Sequence, residues 1–161
     1  MLGLHRSGIA LLMFSTTAAR GWDSKPKPWY ELKGWRLLEH RGNDGDSFHV
    51  DHKGKEYIFR LCFVDCAETT DDFPDRVKDQ AEWWGIKAND VLQYGAKAAV
   101  FTRDLLKNEF TVFTRYEDAR GMSALKRNFG MIRVGDTYLC ETLVSEGLAR
   151  VYGYPVVPPS G

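Results

Sequence analysis

The sequence has few cysteines, no excess charge of either sign and no long apolar run, and each absence excludes a class of protein. Its three cysteines, Cys62, Cys66 and Cys140, are an odd number, and none has a C-x-x-C partner or a nearby histidine. A disulfide framework and a zinc site are therefore excluded, and we predict that all three are buried apolar residues. No apolar run is long enough to cross a membrane, so we expect no membrane partner for the mature chain.

The charges cancel, with 22 Lys and Arg against 22 Asp and Glu in 161 residues. This balance excludes a protein that holds nucleic acid mainly through overall basicity. Locally the charges are uneven: residues 65–90 carry eight acidic and three basic side chains, and residues 101–134 carry seven basic and four acidic ones. Apolar residues make up 43% of the chain, enough for the core of one domain and too many for a disordered chain.

The N-terminus has the layout of a short secretory signal peptide. An apolar run at 8–14 is followed by small residues up to Ala19, which predicts a signal peptide over 1–19 and a secreted or periplasmic protein. The alternative is an N-terminal arm on a cytoplasmic protein. Prolines between lysines predict a linker over 20–31, followed by a folded domain over 32–154 and a proline-rich tail over 155–161.

Hydrophobic periodicity and turn residues predict the order β-β-β-α-β-β-α. This order favours a five-stranded β-barrel of the OB type with two or three flanking helices, and a generic α+β sheet is the alternative. The predicted strands are 32–41, 47–51, 57–64, 110–116 and 129–134, and the predicted helices are 75–84, a main helix after Gly85 that ends near 107, and 139–146.

Acidic residues at two places suit a divalent cation. Asp44 and Asp46 flank a glycine in a turn, which can direct two hard oxygen ligands at one ion or can be a solvated hairpin turn. Asp65 and Glu68 follow the strand at 57–64, where a turn can bring them near that hairpin. Two carboxylates and a backbone carbonyl suit Ca²⁺ with several waters, and a third carboxylate can orient or deprotonate one of those waters.

Two arginines are candidates for binding an anion. Arg60 interrupts an apolar strand, and its burial requires either a phosphate or a structural salt bridge to an acidic residue. Arg127 follows Lys126 just before a predicted strand, either as part of a solvated basic turn or as a second phosphate contact. Arginine suits phosphoryl transfer because its forked donors match the charge that develops on phosphate oxygens.

Taken in order, these motifs resemble the staphylococcal nuclease (thermonuclease) family over residues 37–154. The Asp-Gly-Asp turn together with Arg-x3-Val-Asp-x2-Glu is the specific part, and Leu-Val-x2-Gly-Leu-Ala supports it. The motifs that carry the resemblance are Asp44-Gly-Asp-Ser47, Phe59-Arg-Leu-Cys-Phe-Val-Asp-Cys-Ala-Glu68, Tyr94-Gly-Ala-Lys-Ala-Ala-Val-Phe-Thr102, Arg127, and Glu141-Thr-Leu-Val-Ser-Glu-Gly-Leu-Ala149.

The resemblance implies an OB-type barrel that cleaves DNA and RNA with Ca²⁺ and leaves 3′-phosphate ends. It implies that Asp46 and Asp65 bind the calcium through their carboxylates and that Cys66 adds its backbone carbonyl. Glu68 would act on a metal-bound water as general base, and Asp44 would lie beside the metal site.

The resemblance also assigns the phosphate and base contacts. Arg60 and Arg127 would bind the scissile phosphate, and Arg120 and Arg133 are alternatives to Arg127. Tyr152 and Tyr154 lie near the positions where family members place base-stacking tyrosines, one residue out of step.

Three features depart from the family pattern. Cys66-Ala67 replaces the usual Thr-Pro. We expect the family's C-terminal helix to be absent, either because the barrel closes without it or because the chain is truncated. The loop after Glu68 is longer and contains Trp83 and Trp84, which either pack in the core, the interpretation we favour, or stack on bases. We expect a monomeric nuclease, and the alternative is a non-catalytic OB module that binds nucleic acid and derives from a nuclease.

Overall fold

A computed structural model describes residues 27–121 and 123–153. The predicted signal peptide, residues 20–26 of the predicted linker, the proline-rich tail and Tyr154 lie outside the described residues. The elements are β1 Tyr30–Leu37, β2 Ser47–His52, β3 Lys55–Leu61, β4 Val64–Cys66, α1 Pro74–Trp84, α2 Ala88–Leu105, β5 Phe110–Asp118, β6 Asn128–Val134, β7 Thr137–Tyr138, α3 Leu139–Ser145 and β8 Ala149–Val151.

Five strands form a closed barrel in the described part of the chain, and three helices flank it. The strands are hydrogen-bonded in the order β3-β2-β1-β5-β6, and β6 returns to pair with β3 in parallel. The closing register places Arg60 opposite Phe129. Gly130 allows this close approach, because a Cβ there would lie 3.0 Å from the ring of Phe59. The predicted OB-type barrel with flanking helices is confirmed.

Alternating apolar residues of the strands fill the barrel. Phe48, Val50, Phe59, Val112 and Ile132 are fully buried there, as their β-rich sequence pattern predicts. The three cysteines are free and buried, as predicted. Burial raises the pKa of the Cys62 thiol to about 12 and also raises the pKa of the Cys66 and Cys140 thiols.

The predicted strand at 57–64 is in fact two strands. Phe63 has a φ of 68°, a left-handed conformation that breaks the strand after Leu61. The chain then continues as β4, which leaves the barrel sheet and pairs with the short strand β8. Sequence analysis did not predict β7 or β8, and it placed the first strand at 32–41, whereas β1 is Tyr30–Leu37.

The helices pack outside the barrel. Gly85, with a φ of 66°, ends α1 and separates it from α2, as predicted. Val77 and Ala81 of α1 pack against Val91 of α2 in a small second core. None of the described helices is long and apolar enough to cross a membrane.

Candidate active site

The turn between β1 and β2 holds two carboxylates at the end of the barrel. Asp44 Oδ1 accepts hydrogen bonds from the backbone N–H groups of Asp46, at 2.9 Å, and Ser47, at 2.6 Å. Asp46 is buried, and its Oδ2 accepts the N–H of Cys66 at 2.7 Å. The turn is thereby tied to β4, as the sequence predicted from the positions of the acidic residues.

This turn also packs closely against α2. A Cβ on Gly45 would lie 2.7 Å from both Ala98 and the Cys66 sulfur, so only glycine fits without a shift. Thr102 of α2 donates its hydroxyl to the carbonyl of Gly45 at 2.7 Å. The helix therefore fixes the position of the two carboxylates.

Asp44 and Asp46 repel one another electrostatically. Burial and then the neighbouring charge of Asp46 raise the pKa of Asp44 to about 8, although backbone N–H groups and Arg60 oppose the shift. A cation placed beside the pair would lower that pKa, because it would stabilise the ionised carboxylate.

Asp65 of β4 is the centre of a network of arginines. It is 1% exposed, and its Oδ1 accepts from Arg60 Nη2 at 2.8 Å and Arg76 Nη2 at 2.9 Å. Its Oδ2 accepts from Gln80 Nε2 at 3.1 Å and Arg150 Nε at 3.1 Å. Burial alone would raise the pKa of Asp65, but the amide of Gln80 and the three guanidinium groups hold it below its usual value.

Arg60 joins the two predicted metal-binding carboxylates. Its Nη1 lies 3.2 Å from Asp46 Oδ1, and its Nη2 lies 2.8 Å from Asp65 Oδ1. Burial opposes the charge, but Asp46 and Asp65 outweigh it and raise the pKa of Arg60. The side chain keeps 17% of its surface exposed, so the guanidinium is held in place and still borders solvent.

Glu68 is held by the face of α1 that carries Arg76 and Gln80. Arg76 Nε donates to Glu68 Oε1 at 2.7 Å, and Gln80 Oε1 accepts the Glu68 N–H at 2.9 Å. The amide of Gln80 also donates to the Cys66 carbonyl at 2.9 Å. The Glu68 side chain remains 21% exposed, which leaves it accessible to water.

The structure brings six of the predicted residues into one network of contacts: Asp44, Asp46, Arg60, Asp65, Cys66 and Glu68. Three residues of this network were not predicted: Arg76, Gln80 and Arg150. Arg76 and Gln80 are four apart in a predicted helix that follows the acidic loop, and this spacing is the signal that could have identified them. Arg150 had no such signal, because it reaches Asp65 through the unpredicted pairing of β8 with β4.

Arg127 is not part of this network. Its Nη2 donates to the Arg120 carbonyl at 3.0 Å, and its buried Nε has no hydrogen-bond partner among residues 27–121 and 123–153. Of the two alternatives, Arg120 binds Asp118 on the surface and Arg133 binds Glu31 at 3.0 Å.

Aromatic rings surround Arg150 at the edge of the site. The guanidinium carbon lies 5.3 Å from the centre of the Tyr152 ring, 5.6 Å from that of Trp83 and 5.9 Å from that of Trp84. Trp83 is 57% exposed and Tyr152 is 56% exposed. The expectation that Trp83 packs in the core is therefore wrong for this residue: its ring covers Arg150 and faces solvent.

Comparison with known proteins agrees with this geometry. The family model described as "Staphylococcal nuclease homologue" matches residues 58–159. The chain belongs to the staphylococcal nuclease family. It is 30% identical over 126 residues to a protein named thermonuclease from Staphylococcus intermedius. That match covers 78% of this chain and 64% of the relative, so this member of the family spans less than two thirds of the relative's length.

The family implies a bound calcium ion, and the oxygen donors test whether one fits. Asp44 and Asp46 place two carboxylates in one turn, and carboxylate oxygens are the hard donors that Ca²⁺ prefers. Asp65 already accepts hydrogen bonds at both oxygens, and the Cys66 carbonyl accepts one from Gln80. Within the described residues, no group of three or more His, Cys, Asp or Glu side chains is arranged to hold a metal ion. The oxygen donors that suit calcium best are those of Asp44 and Asp46, because three arginines already neutralise Asp65.

Proposed function

We propose that this protein is a calcium-dependent nuclease that hydrolyses phosphodiester bonds in DNA and RNA with little sequence preference. The observation that carries the proposal is Arg60, which spans Asp46 and Asp65 at 3.2 and 2.8 Å and keeps an exposed edge. A guanidinium held in this way is preorganised to bind a phosphate and to stabilise the charge that develops during its hydrolysis.

The calcium would be held by the carboxylates of Asp46 and Asp65 and the carbonyl of Cys66, with Asp44 beside it. When bound, it would supply positive charge for the phosphate and for an attacking water. For Asp65 to bind the ion, one of its arginine or glutamine contacts has to be exchanged, because both of its oxygens already accept hydrogen bonds.

Glu68 would accept the proton of the attacking water. Both contacts of Arg76 with Glu68 are made to Oε1, at 2.7 Å, which leaves Oε2 to accept that proton. Arg76 orients the carboxylate, and a general base has to lie within hydrogen-bond reach of the proton that it accepts. Arg60 and, by family resemblance, Arg127 would bind the phosphate oxygens, and hydrolysis would leave a 3′-phosphate.

The preferred substrate would be single-stranded or otherwise exposed nucleic acid. The charges of the chain cancel, so the protein does not hold a duplex mainly through overall basicity. The exposed ring of Tyr152, and by family resemblance Tyr154, would stack on bases, and Trp83 offers a further exposed ring beside Tyr152.

A non-catalytic nucleic-acid-binding module is the second candidate. The observation that favours it is the number of contacts around Asp65, whose two oxygens accept hydrogen bonds from three arginines and one glutamine. A module of this kind would bind single-stranded nucleic acid and would leave it intact.

The decisive experiment incubates the purified chain with denatured DNA and with RNA in Ca²⁺, and repeats both digestions in EGTA. We expect cleavage in Ca²⁺, none in EGTA, and 3′-phosphate ends on the products. Intact substrate in Ca²⁺, together with retained binding of the DNA, would contradict the nuclease proposal and support the binding module.

A further inference from the structure

A cavity of about 280 Å³ opens beside Arg60. Its walls combine two guanidinium groups with a carboxylate and several aromatic rings. The lining residues used here are Arg60, Arg115, Glu117, Trp29, Phe129 and Tyr152. The cavity therefore connects the arginine of the proposed active site with Arg115, which neither the sequence motifs nor the carboxylate network includes.

Arg115 is largely buried, but its positive charge has no close acidic partner in the described part of the chain. Its side chain is 13% exposed, and its ion pair with Glu117 is long, at 4.0 Å. Its Nε is buried and has no hydrogen-bond partner within the part of the chain that the structure describes. A guanidinium in this state has donors available, and an anion in the cavity would satisfy them.

Two other arginines of the barrel have closer carboxylate partners than Arg115 has. Arg60 has similar burial but contacts two carboxylates, at 3.2 and 2.8 Å. Arg133, on the neighbouring strand β6, stacks on an aromatic ring as Arg115 does, but pairs with Glu31 at 3.0 Å and does not line the cavity. Arg115 lines the cavity, is largely buried and stacks on a ring, but its ion pair with Glu117 is long, at 4.0 Å.

An irregular segment of β5 places Arg115 at the cavity. The pairing of β5 with β6 is regular up to Thr114 and shifts before Asp118. Tyr116 within this segment has a φ of 54°, a conformation that non-glycine residues rarely adopt. Such bulges re-aim side chains next to binding sites, and both Arg115 and Glu117 line the cavity here. The ring of Trp29, 4.6 Å from the guanidinium carbon, then orients Arg115.

We propose that Arg115 is a further phosphate-binding residue of this chain, which contacts a phosphate of a single-stranded nucleic acid next to the phosphate contacted by Arg60. The fork of Arg115 matches phosphate oxygens, and the rings of Phe129 and Tyr152 supply apolar surface for the sugar and base. The inference rests on the proposed function because it assigns the substrate's path. Arg115 is a binding residue here, and the chemistry stays with Arg60 and Glu68.

The test measures the affinity of a fluorescently labelled eight-nucleotide DNA by anisotropy, in Ca²⁺ and over a series of salt concentrations. The parent carries Glu68→Gln to prevent cleavage. Adding Arg115→Gln, which removes the charge and keeps most of the stem, is expected to weaken binding about tenfold. The slope of log affinity against log salt should fall by about 0.7, the value for one lost phosphate contact on a single strand. Arg115→Lys should keep the slope and part of the affinity.

The matched control is Arg36→Gln, at an exposed arginine that pairs with Glu109 at 2.9 Å, and it should change neither the affinity nor the slope. Thermal unfolding identifies any variant that fails to fold. If Arg115→Gln fails to fold, Arg115→Lys alone tests the inference, which predicts that this variant keeps the salt slope and binds the DNA more weakly. Parent-like affinity and slope in the Arg115 variants would overturn the inference. With Glu68 intact, DNA cleavage unaffected by Arg115→Gln would overturn it and leave the nuclease function standing. Binding that depends on Arg115 in a chain that cleaves nothing would support the inference and remove the nuclease function.

Discussion

At the scale of single residues, the charge of Asp65 is shared among three arginines that come from three different elements. Arg60 lies in β3, Arg76 in α1 and Arg150 in β8. A buried carboxylate needs a cationic partner. If Asp65 loses the contact with one arginine, two arginines still neutralise its charge. This redundancy is what allows a contact of Asp65 to be exchanged for calcium in the proposed function.

Glu68→Gln tests the proposed base directly. The amide keeps the oxygen that accepts from Arg76 but cannot take a proton from water, so we expect turnover to fall at least about 100-fold with the fold kept. Rates on denatured DNA and far-UV circular dichroism provide the two measurements. Glu82→Gln, on the exposed side of α1, is the matched control. Unchanged turnover in Glu68→Gln would remove Glu68 from the chemistry.

Arg127→Ala tests the second arginine, which sequence resemblance places on the phosphate and which makes no contact with the carboxylate network. If Arg127 binds the scissile phosphate, the variant should lose about 100-fold or more in turnover, the scale seen when one donor to a developing charge is removed. The single described hydrogen bond of its side chain is to the Arg120 carbonyl, so the effect on stability should be small. Full activity in this variant would show that Arg127 is not the second arginine.

At the scale of elements, the helices α1 and α2 together fix the positions of the site residues. Two residues one turn apart on α1, Arg76 and Gln80, hold Glu68, Asp65 and the Cys66 carbonyl. On α2, Gly95 lets the chain at Glu68 pack directly on the helix, because a Cβ there would lie 2.1 Å from the Glu68 carbonyl oxygen.

Gly95→Ala should therefore lower the stability of the protein, although helix propensity alone predicts an increase. In an ordinary exposed helix, this change stabilises by about 1 kcal/mol. Here we expect a loss of about 1–3 kcal/mol, the usual cost of overpacking, and lower activity because Glu68 is displaced. Urea unfolding and DNA cleavage measure the two effects.

The control for Gly95→Ala is the neighbouring exposed position. Ala96→Gly should cost about 1 kcal/mol through helix propensity and leave activity unchanged. A stabilised, fully active Gly95→Ala variant would mean that the approach of Glu68 to α2 does not position the site.

Most regular elements could be predicted from local sequence, and three short strands, β4, β7 and β8, could not. The strand β7 has only two residues. The strands of the barrel and the three helices follow from periodicity and turn residues, and Gly85 divides α1 from α2 as expected. The strands β4 and β8 have three residues each, too few for a periodic pattern. They exist because they pair with each other, with Asp65 opposite Arg150. Sequence analysis extended β3 through Val64 because the apolar run continues there.

At the scale of the whole molecule, the buried carboxylates make stability depend on pH. The pKa of Asp44 is raised from 3.8 to about 8, so the folded chain binds this proton more tightly than the unfolded chain does. The stability from this group is fully present below pH 3.8 and is lost as the pH rises through 8. Asp65 acts in the opposite sense, because its pKa is lowered and its contribution is lost only in acid.

In a chelator, we therefore expect the free energy of unfolding to fall between pH 5 and pH 8. Asp44→Asn should remove most of that fall, since the amide has no proton to release. Urea titrations at the two pH values give the measurement. Asp104→Asn, an exposed aspartate beside Lys107, should leave the fall unchanged. A wild-type chain whose stability does not fall over this interval would contradict the shifted pKa of Asp44.

The sequence by itself determined the barrel, the helices and the residue types that carry the chemistry. It did so because periodicity, turn residues and short motifs act over a few neighbouring residues. Only the tertiary structure decided which charges meet: three arginines converge on Asp65, Arg127 stays outside the network, and Arg115 is left beside a cavity. These contacts depend on the closure of β3 against β6 and of β4 against β8, and the second pairing joins residues up to 87 positions apart.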